Sequence, residues 1–287
     1  MTLVAVPNVS EGRDAVRIAA LARAMERGGA RILDVHSDGR HNRSVLTAAA
    51  SPTDLVDACV RLAVEADRLI DLEGHTGVHP LLGKLDVCPF VVEPGSTEAI
   101  EAARATGAGI GELGIPVYLY GLASEPDRAT ELPALRKGGL AALIERARSG
   151  LTPDFGPPEI DPLRGVVCVG ARGPLIAFNV ELATDVATAR SIAARVRTSG
   201  GGPPGVRALG FDLGDRSQVS VNLIDPEVTG IETVFEAIAS EAMAVDVEVI
   251  ATEIVGLVAR RFLPSRDAKA TRLLVEPGRS LESVLRR

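Results

Sequence analysis

Residues 42–49 read Asn-Arg-Ser-Val-Leu-Thr-Ala-Ala, and residues 51–54, Ser-Pro-Thr-Asp, follow one alanine later. The first segment is typical of a strand. The second is typical of a helix start, with serine as N-cap, proline at the first helical position and an acid in the first turn. Because apolar residues recur at helical spacing as far as about Leu69, a strand leads directly into a helix here.

Strands and helices alternate on both sides of this junction. The predicted elements of the first half are strands at 3–6, 31–35, 42–49 and 85–92 and helices at 14–27 and 52–69, extended by a helix at 97–113, a strand at 116–120 and a helix at 133–149. The order strand, helix, strand, strand, helix, strand is that of a ferredoxin-like βαββαβ unit.

The second half repeats the order. Its predicted elements are strands at 174–180, 206–213, 219–224 and 247–254 and helices at 185–198 and 229–245. The fold class is therefore α/β (α+β), with two ferredoxin-like subdomains whose mixed sheets are covered by helices. Residues 152–165 between the halves are rich in Pro and Gly. A functional loop and a plain linker both remain open for this segment.

Composition excludes several classes of function. The chain has 287 residues, a formal net charge of -7, no Trp and two Tyr. A basic footprint and an aromatic stacking platform are both lacking, so we expect no nucleic-acid binding. Three cysteines at wide spacing indicate neither a disulfide framework nor a zinc site, which favours a reducing cytoplasm. With no signal peptide at residues 1–8 and no long apolar run, we expect no membrane association.

The four histidines all fall between residues 36 and 79. His79 precedes Pro80, which removes it from helical conformation and places it on a rigid turn before a strand. His75 and His79 have the i, i+4 spacing of a zinc pair, but Gly77 and Pro80 oppose the helix that such a pair needs. His79 is then either a general base or a loop histidine satisfied by backbone groups.

Three other segments and Cys88 also give rise to structural expectations. Residues 34–43 form a polar cluster at strand ends, which is either solvated or faces a cleft. Residues 170–173, Gly-Ala-Arg-Gly, predict a hairpin turn. The glycine-rich residues 199–205 follow a predicted helix and lack Lys-Ser/Thr, so they predict a connection and not a phosphate loop. Cys88 lies in an apolar strand and is expected to be buried.

The motifs resemble those of the glutamate formiminotransferase family. The resemblance is carried by residues 6–12 (Val-Pro-Asn-Val-Ser-Glu-Gly), 41–44 (His-Asn-Arg-Ser), 75–80 (His-Thr-Gly-Val-His-Pro), 85–90 (Leu-Asp-Val-Cys-Pro-Phe), 116–121, 153–157, 170–172, 175–179, 218–222 and 255–258. These matches are collinear from residue 4 to about residue 258. They imply two formiminotransferase subdomains, at residues 1–174 and 175–287, in a stand-alone transferase without a cyclodeaminase half.

The resemblance implies transfer of a formimino group from N-formimino-L-glutamate to N5 of tetrahydrofolate, in histidine breakdown. Tetrahydrofolate is a co-substrate, no metal is expected, and a folate tunnel between subdomains and a homodimer are implied. His79 takes the position of the catalytic histidine. The folate-contacting segment falls on Gly156 to Gly165, where Gly156, Pro157, Pro162 and Gly165 match.

Charge and placement add further candidates. Both substrates carry carboxylates, so Arg43, Arg164 and Arg172 are expected to hold them. Arg164 lies inside the folate-contacting segment. Asn42 and Asn179 are expected to orient amide or pterin groups.

The chain departs from the family pattern near His79. Val78 replaces a glutamate, Leu81 an arginine, Lys84 a small residue and His36 a carboxylate. Two alternatives therefore remain open: a related folate-dependent transferase or hydrolase with another donor, and a folate-binding protein without turnover.

Overall fold

The computed structural model describes residues 2–92, 96–128 and 130–285, and the chain divides into two compact units. The first unit is Met1–Arg172 and the second is Gly173–Arg287.

The first unit contains seven strands in one sheet. Its elements are β1 Leu3–Ala5, β2 Asn8–Val9, α1 Ala15–Arg27, β3 Arg31–Asp38, β4 Arg43–Ala50, α2 Pro52–Leu69, β5 Leu85–Val91, α3 Glu98–Glu112, β6 Val117–Gly121, α4 Leu132–Arg136, α5 Gly139–Arg148 and β7 Val167–Arg172.

The sheet of the first unit has the ferredoxin-like arrangement. β1 and β2 are two pieces of one interior strand, interrupted at Pro7, and both pair antiparallel with β4 on one side and β5 on the other. β3 pairs antiparallel with β4, so the order of the motif strands is fourth, first, third, second. β7 and β6 then extend the sheet beyond β5 in parallel. The predicted α/β fold is confirmed for this unit.

Local sequence sets the helix positions. The Ser51 side chain accepts from the amide of Asp54 and Pro52 opens α2, while Asp14 accepts from Val16 and Arg17 at the start of α1. Both helices bury one apolar face against the sheet, where Leu21, Leu55 and Leu62 have no exposed surface.

The second unit repeats the motif with a four-stranded sheet. Its elements are β8 Ile176–Leu182, α6 Val186–Val196, β9 Val206–Asp212, β10 Ser217–Leu223, α7 Ile231–Met243, β11 Val249–Val255, α8 Lys269–Arg272 and α9 Leu281–Leu285. The strand order is β11-β8-β10-β9, all antiparallel, which is again fourth, first, third, second. A separate core packs α6 and α7 on this sheet.

Two predictions were wrong in detail. The single helix expected at 133–149 is two helices, because Gly138 and Gly139 adopt φ of 80° and 73° between them. The expected hairpin turn at 170–173 is wrong at three positions, because residues 170–172 pair in β7 with β5 and β6. The connections at 152–165 and 199–205 contain no strand or α-helix, as predicted.

The 152–165 segment belongs to the first unit and is followed there by β7. The carbonyl of Phe155 accepts from the amide of Val117 at 2.9 Å, and Gly165 forms a β-bridge with Gly83. Both ends are therefore fixed to one unit, which excludes the linker interpretation.

Candidate active site

The turn that carries His79 is held against the β3–β4 turn. The amide of Val78 donates to the carbonyl of Arg40 at 3.2 Å, and Asn42 Nδ2 donates to the carbonyl of Thr76 at 3.0 Å. A Cβ on Gly77 would lie 2.4 Å from the carbonyl oxygen of His41, so only glycine allows this approach. Asn42 itself has φ of 48°, a conformation that asparagine tolerates.

The His79 ring is half-buried and has a defined tautomer. Its Nδ1 lies 2.7 Å from the carbonyl oxygen of Pro80. A carbonyl only accepts hydrogen bonds, so Nδ1 carries the hydrogen, and in the neutral ring Nε2 carries the lone pair. The ring of His41 stands edge-on, with 6.1 Å between ring centroids.

A buried ionic cluster is centred on Asp86, the second residue of β5. The carboxylate has no exposed surface, and its Oδ1 accepts from the amide of Leu82 at 2.7 Å. Its Oδ2 accepts from Arg43 Nη1 at 2.6 Å and also from Arg136 Nη2 of α4. Arg43 Nε in turn donates to Asn8 Oδ1 at 3.1 Å. With two guanidinium groups on one carboxylate, the cluster carries one excess positive charge.

Burial and this cluster control the protonation of His79. Burial lowers the pKa of His79 well below its usual range, and the charges of Arg43 and Arg136 lower it further, against the opposing effect of Asp86. Burial by itself would raise the pKa of Asp86, but the two arginines hold it below its usual range. The result is a neutral imidazole beside an ionised carboxylate at pH 7.

The 152–165 loop contains the predicted folate-contacting positions. Gly156 and Gly165 have φ of 81° and 70°, and a Cβ on either would lie within 2.4 Å of a backbone carbonyl oxygen. Gly165 is buried, Pro157 is half-buried and Pro162 is exposed. The predicted folate-contacting segment 156–165 therefore has a fixed glycine turn at each end and an accessible middle.

The side chain of Arg164 binds the C-terminal end of α2, within the first unit. Its Nε and Nη2 donate to the two carboxylate oxygens of Asp67 at 3.0 and 2.8 Å, and its Nη1 donates to the carbonyl of Gly114 at 3.0 Å. The side chain is about one-third exposed.

Arg172 and Asn179 lie in different units. Arg172 ends β7, where burial lowers the pKa of its guanidinium and the phenol of Tyr120 opposes this effect. Asn179 is a buried residue of β8, and its Nδ2 donates to Glu253 Oε2 at 2.8 Å. The structure thus brings Asn42, Arg43 and His79 together within the first unit and places Asn179 in the second.

Three residues near these candidates were missed from the sequence: Asp67, Asp86 and Arg136. Asp86 had a usable signal, because an acid within the apolar run 85–90 must find a charged partner when the strand is buried. Asp67 had none, since it is one of several charged residues of α2. Arg136 had none either, since a single arginine at the end of the short helix α4 looks like an ordinary surface residue.

No group of three or more His, Cys, Asp or Glu side chains in the described ranges is placed to hold a metal ion. Within the same ranges, no helix combines the length and the apolar character that crossing a membrane requires.

Two family models match the chain. The N-terminal subdomain of the formiminotransferase domain matches residues 2–172, and the formiminotransferase domain matches residues 177–268.

Curated relatives agree with these matches. The formimidoyltransferase-cyclodeaminase of Sus scrofa is 41% identical over 271 residues, which is 90% of this chain and 50% of that protein. The chain therefore spans about half the length of this relative. The glutamate formimidoyltransferase of Streptococcus pyogenes serotype M1 is 39% identical over 90% of this chain and 89% of its own length. That of Thermoplasma acidophilum is 38% identical over 92% and 90%.

Each family model falls on one of the two units of the structure, and the match covers about nine-tenths of both microbial relatives. The chain belongs to the formiminotransferase family.

Proposed function

We propose that this protein is a glutamate formimidoyltransferase, which moves a formimino group from N-formimino-L-glutamate to N5 of tetrahydrofolate. Family membership and the names of the microbial relatives support the reaction. The observation that carries the proposal is the state of His79, a neutral imidazole whose Nδ1 is occupied by the Pro80 carbonyl.

His79 acts as the general base and then as the general acid. N5 of the folate attacks the formimino carbon, and Nε2 takes the proton that N5 loses as the new carbon–nitrogen bond forms. The same proton then passes to the glutamate nitrogen as its bond to the formimino carbon breaks. The neutral ring is in the state that accepts a proton, and the protonated ring is acidic enough to return it.

The ionic cluster supplies positive charge near the base. Arg43 is already bound to Asp86 and Asn8, so we assign it an electrostatic role shared with Arg136. The excess charge of this cluster favours a substrate carboxylate nearby. Arg172 remains a candidate for direct contact, and Asn42 holds the His79 turn in place.

The 152–165 loop is proposed to contact the folate through residues 156–165. Its accessible middle, bounded by fixed glycine turns, suits a ligand-contacting loop. A role for Asn179, a homodimer, a cytoplasmic location and the independence from metal remain predictions.

A change of donor is a second candidate. Val78 is exposed and apolar at a position next to the base. A carboxylate at that position would pair with a cationic amidine, so its replacement favours a less basic donor such as a formyl compound.

The test is an absorbance assay with tetrahydrofolate and N-formimino-L-glutamate. We expect formation of the formimino or methenyl folate. Turnover with a formyl donor alone would instead support the second candidate. Folate binding without turnover of any donor would indicate a binding protein, and no folate binding would overturn all three.

A further inference from the structure

Asp67, two residues before the end of α2, connects two segments that are distant in sequence. Besides Arg164 from the loop, it binds Lys84 from the entrance of β5. Lys84 Nζ donates to the backbone carbonyl of Asp67 at 2.8 Å and to its Oδ1 at 3.2 Å. A two-pronged arginine–carboxylate pair fixes direction as well as distance. One carboxylate thus holds both the end of the loop and the chain that follows the His79 turn.

The backbone makes the same connection beside this carboxylate. The amide of Val166 donates to the carbonyl of Leu82 at 2.9 Å, next to the bridge between Gly83 and Gly165. A Cβ on Gly83 would lie 2.1 Å from the carbonyl oxygen of Val166. On its other side, Gly83 accepts from Ser10 Oγ at 2.8 Å. The end of the loop and residues 82–84 are therefore in direct backbone contact.

The charges of Asp67, Arg164 and Lys84 stabilise the connection between the loop end and the chain before β5. Burial by itself would raise the pKa of Asp67, but hydrogen bonds from Arg164 and Lys84 lower it below its usual range. The same bond raises the pKa of Arg164. The three nitrogens of the Arg164 guanidinium all donate to Asp67 or Gly114.

We propose that Asp67 is a positioning residue, which holds the 152–165 loop against the His79 turn and so sets the affinity for the pterin co-substrate. The assignment of the ligand rests on the proposed function. Asp67 acts through Arg164 and Lys84 and takes no part in the chemistry. This replaces the sequence-based expectation that Arg164 holds a folate carboxylate directly.

The Asp67→Asn variant distinguishes two possible roles of Arg164, direct contact with folate and attachment of the loop to Asp67. If Arg164 contacted folate directly, release from Asp67 would leave the affinity unchanged or improve it. If Asp67 positions the loop, the Kd for tetrahydrofolate, measured by calorimetry, rises roughly tenfold. We expect kcat at saturating substrates to stay within about twofold. Asp67→Glu, which keeps the charge, should recover part of the affinity.

The matched control is Asp57→Asn on the same helix. Asp57 pairs with Arg61 at 2.7 Å, and both side chains are about half-exposed. Its loss removes a surface ion pair of similar length without touching the loop, so the Kd should stay within twofold of that of the unaltered protein.

Hydrogen exchange of the unliganded protein gives a readout that needs no folate. Asp67→Asn should accelerate exchange of the Gly165 and Val166 amides, whereas Asp57→Asn should not. Unchanged exchange at these amides, or an unchanged Kd, would overturn the positioning role. An unaltered protein that binds no tetrahydrofolate would overturn the proposed function, and the exchange result would still decide whether Asp67 fixes the loop.

Discussion

At the scale of single residues, the decisive feature is the protonation state of His79. The sequence placed this residue on a proline-fixed turn and left two interpretations open, a general base and a loop histidine satisfied by backbone groups, and the family resemblance favoured the first. The structure agrees with part of each interpretation. Nδ1 donates to a backbone carbonyl, as in a loop histidine, while Nε2 of the neutral ring keeps the lone pair that a general base needs. The lowered pKa could not be predicted, since it depends first on the burial of the ring and then on Arg43 and Arg136, which are distant in sequence.

The low pKa of His79 predicts the pH dependence of activity. A base must be deprotonated to accept a proton, so kcat/KM falls as pH drops through the pKa of the free enzyme. Because that pKa lies below the ordinary 6.5, the acid limb of log kcat/KM against pH should be centred below 6.5. Steady-state rates in constant-ionic-strength buffers give this profile. A limb centred at 7 or above would contradict the account.

At the scale of elements, predictions succeeded where local sequence controls structure. The start of α2 at Pro52 and its end at Leu69 were predicted, because an N-cap serine, a proline and a regular apolar face define them. The break between α4 and α5 was missed, although Gly138-Gly139 marks it. β7 was missed as a central strand, because its parallel pairing with β5 and β6 joins segments far apart in sequence.

The contact of β5 with the loop yields a prediction for Gly83→Ala. Its new Cβ would meet backbone atoms of Val166, which cannot rotate away, so the bridge to Gly165 must open. We expect the free energy of unfolding to fall by about 1–3 kcal/mol, the usual cost of overpacking, and the Kd for tetrahydrofolate to rise. Urea titration and calorimetry measure the two effects.

Gly230→Ala is the matched control for this glycine. A Cβ at Gly230 would have no atom within 4 Å, so the free energy of unfolding should change by less than about 0.5 kcal/mol. Equal stability of the Gly83→Ala variant and the unaltered protein would show that the bridge does not constrain β5.

At the scale of the whole molecule, the repeated strand order was predictable and the supporting contacts were not. Alternation of strands and helices gave both ferredoxin-like units, since each unit is built from neighbours along the chain. The ion pairs of Asp86 with Arg136 and of Asp67 with Arg164 join residues 50 and 97 positions apart. A single sequence carries no local pattern for such pairs, so the electrostatics of the candidate site required the folded chain.

The most direct test of the whole account compares kcat of the unaltered protein with that of His79→Ala, using saturating tetrahydrofolate and N-formimino-L-glutamate. His75→Ala is the control, because His75 lies in the same turn and its Nε2 contacts the Ser10 carbonyl at 3.1 Å. We predict that His79→Ala folds and binds tetrahydrofolate but loses roughly 10²–10⁴-fold in kcat, the span for removal of an acid–base group, while His75→Ala retains most of the activity. A folded His79→Ala variant with near-normal kcat would show that another group carries the proton.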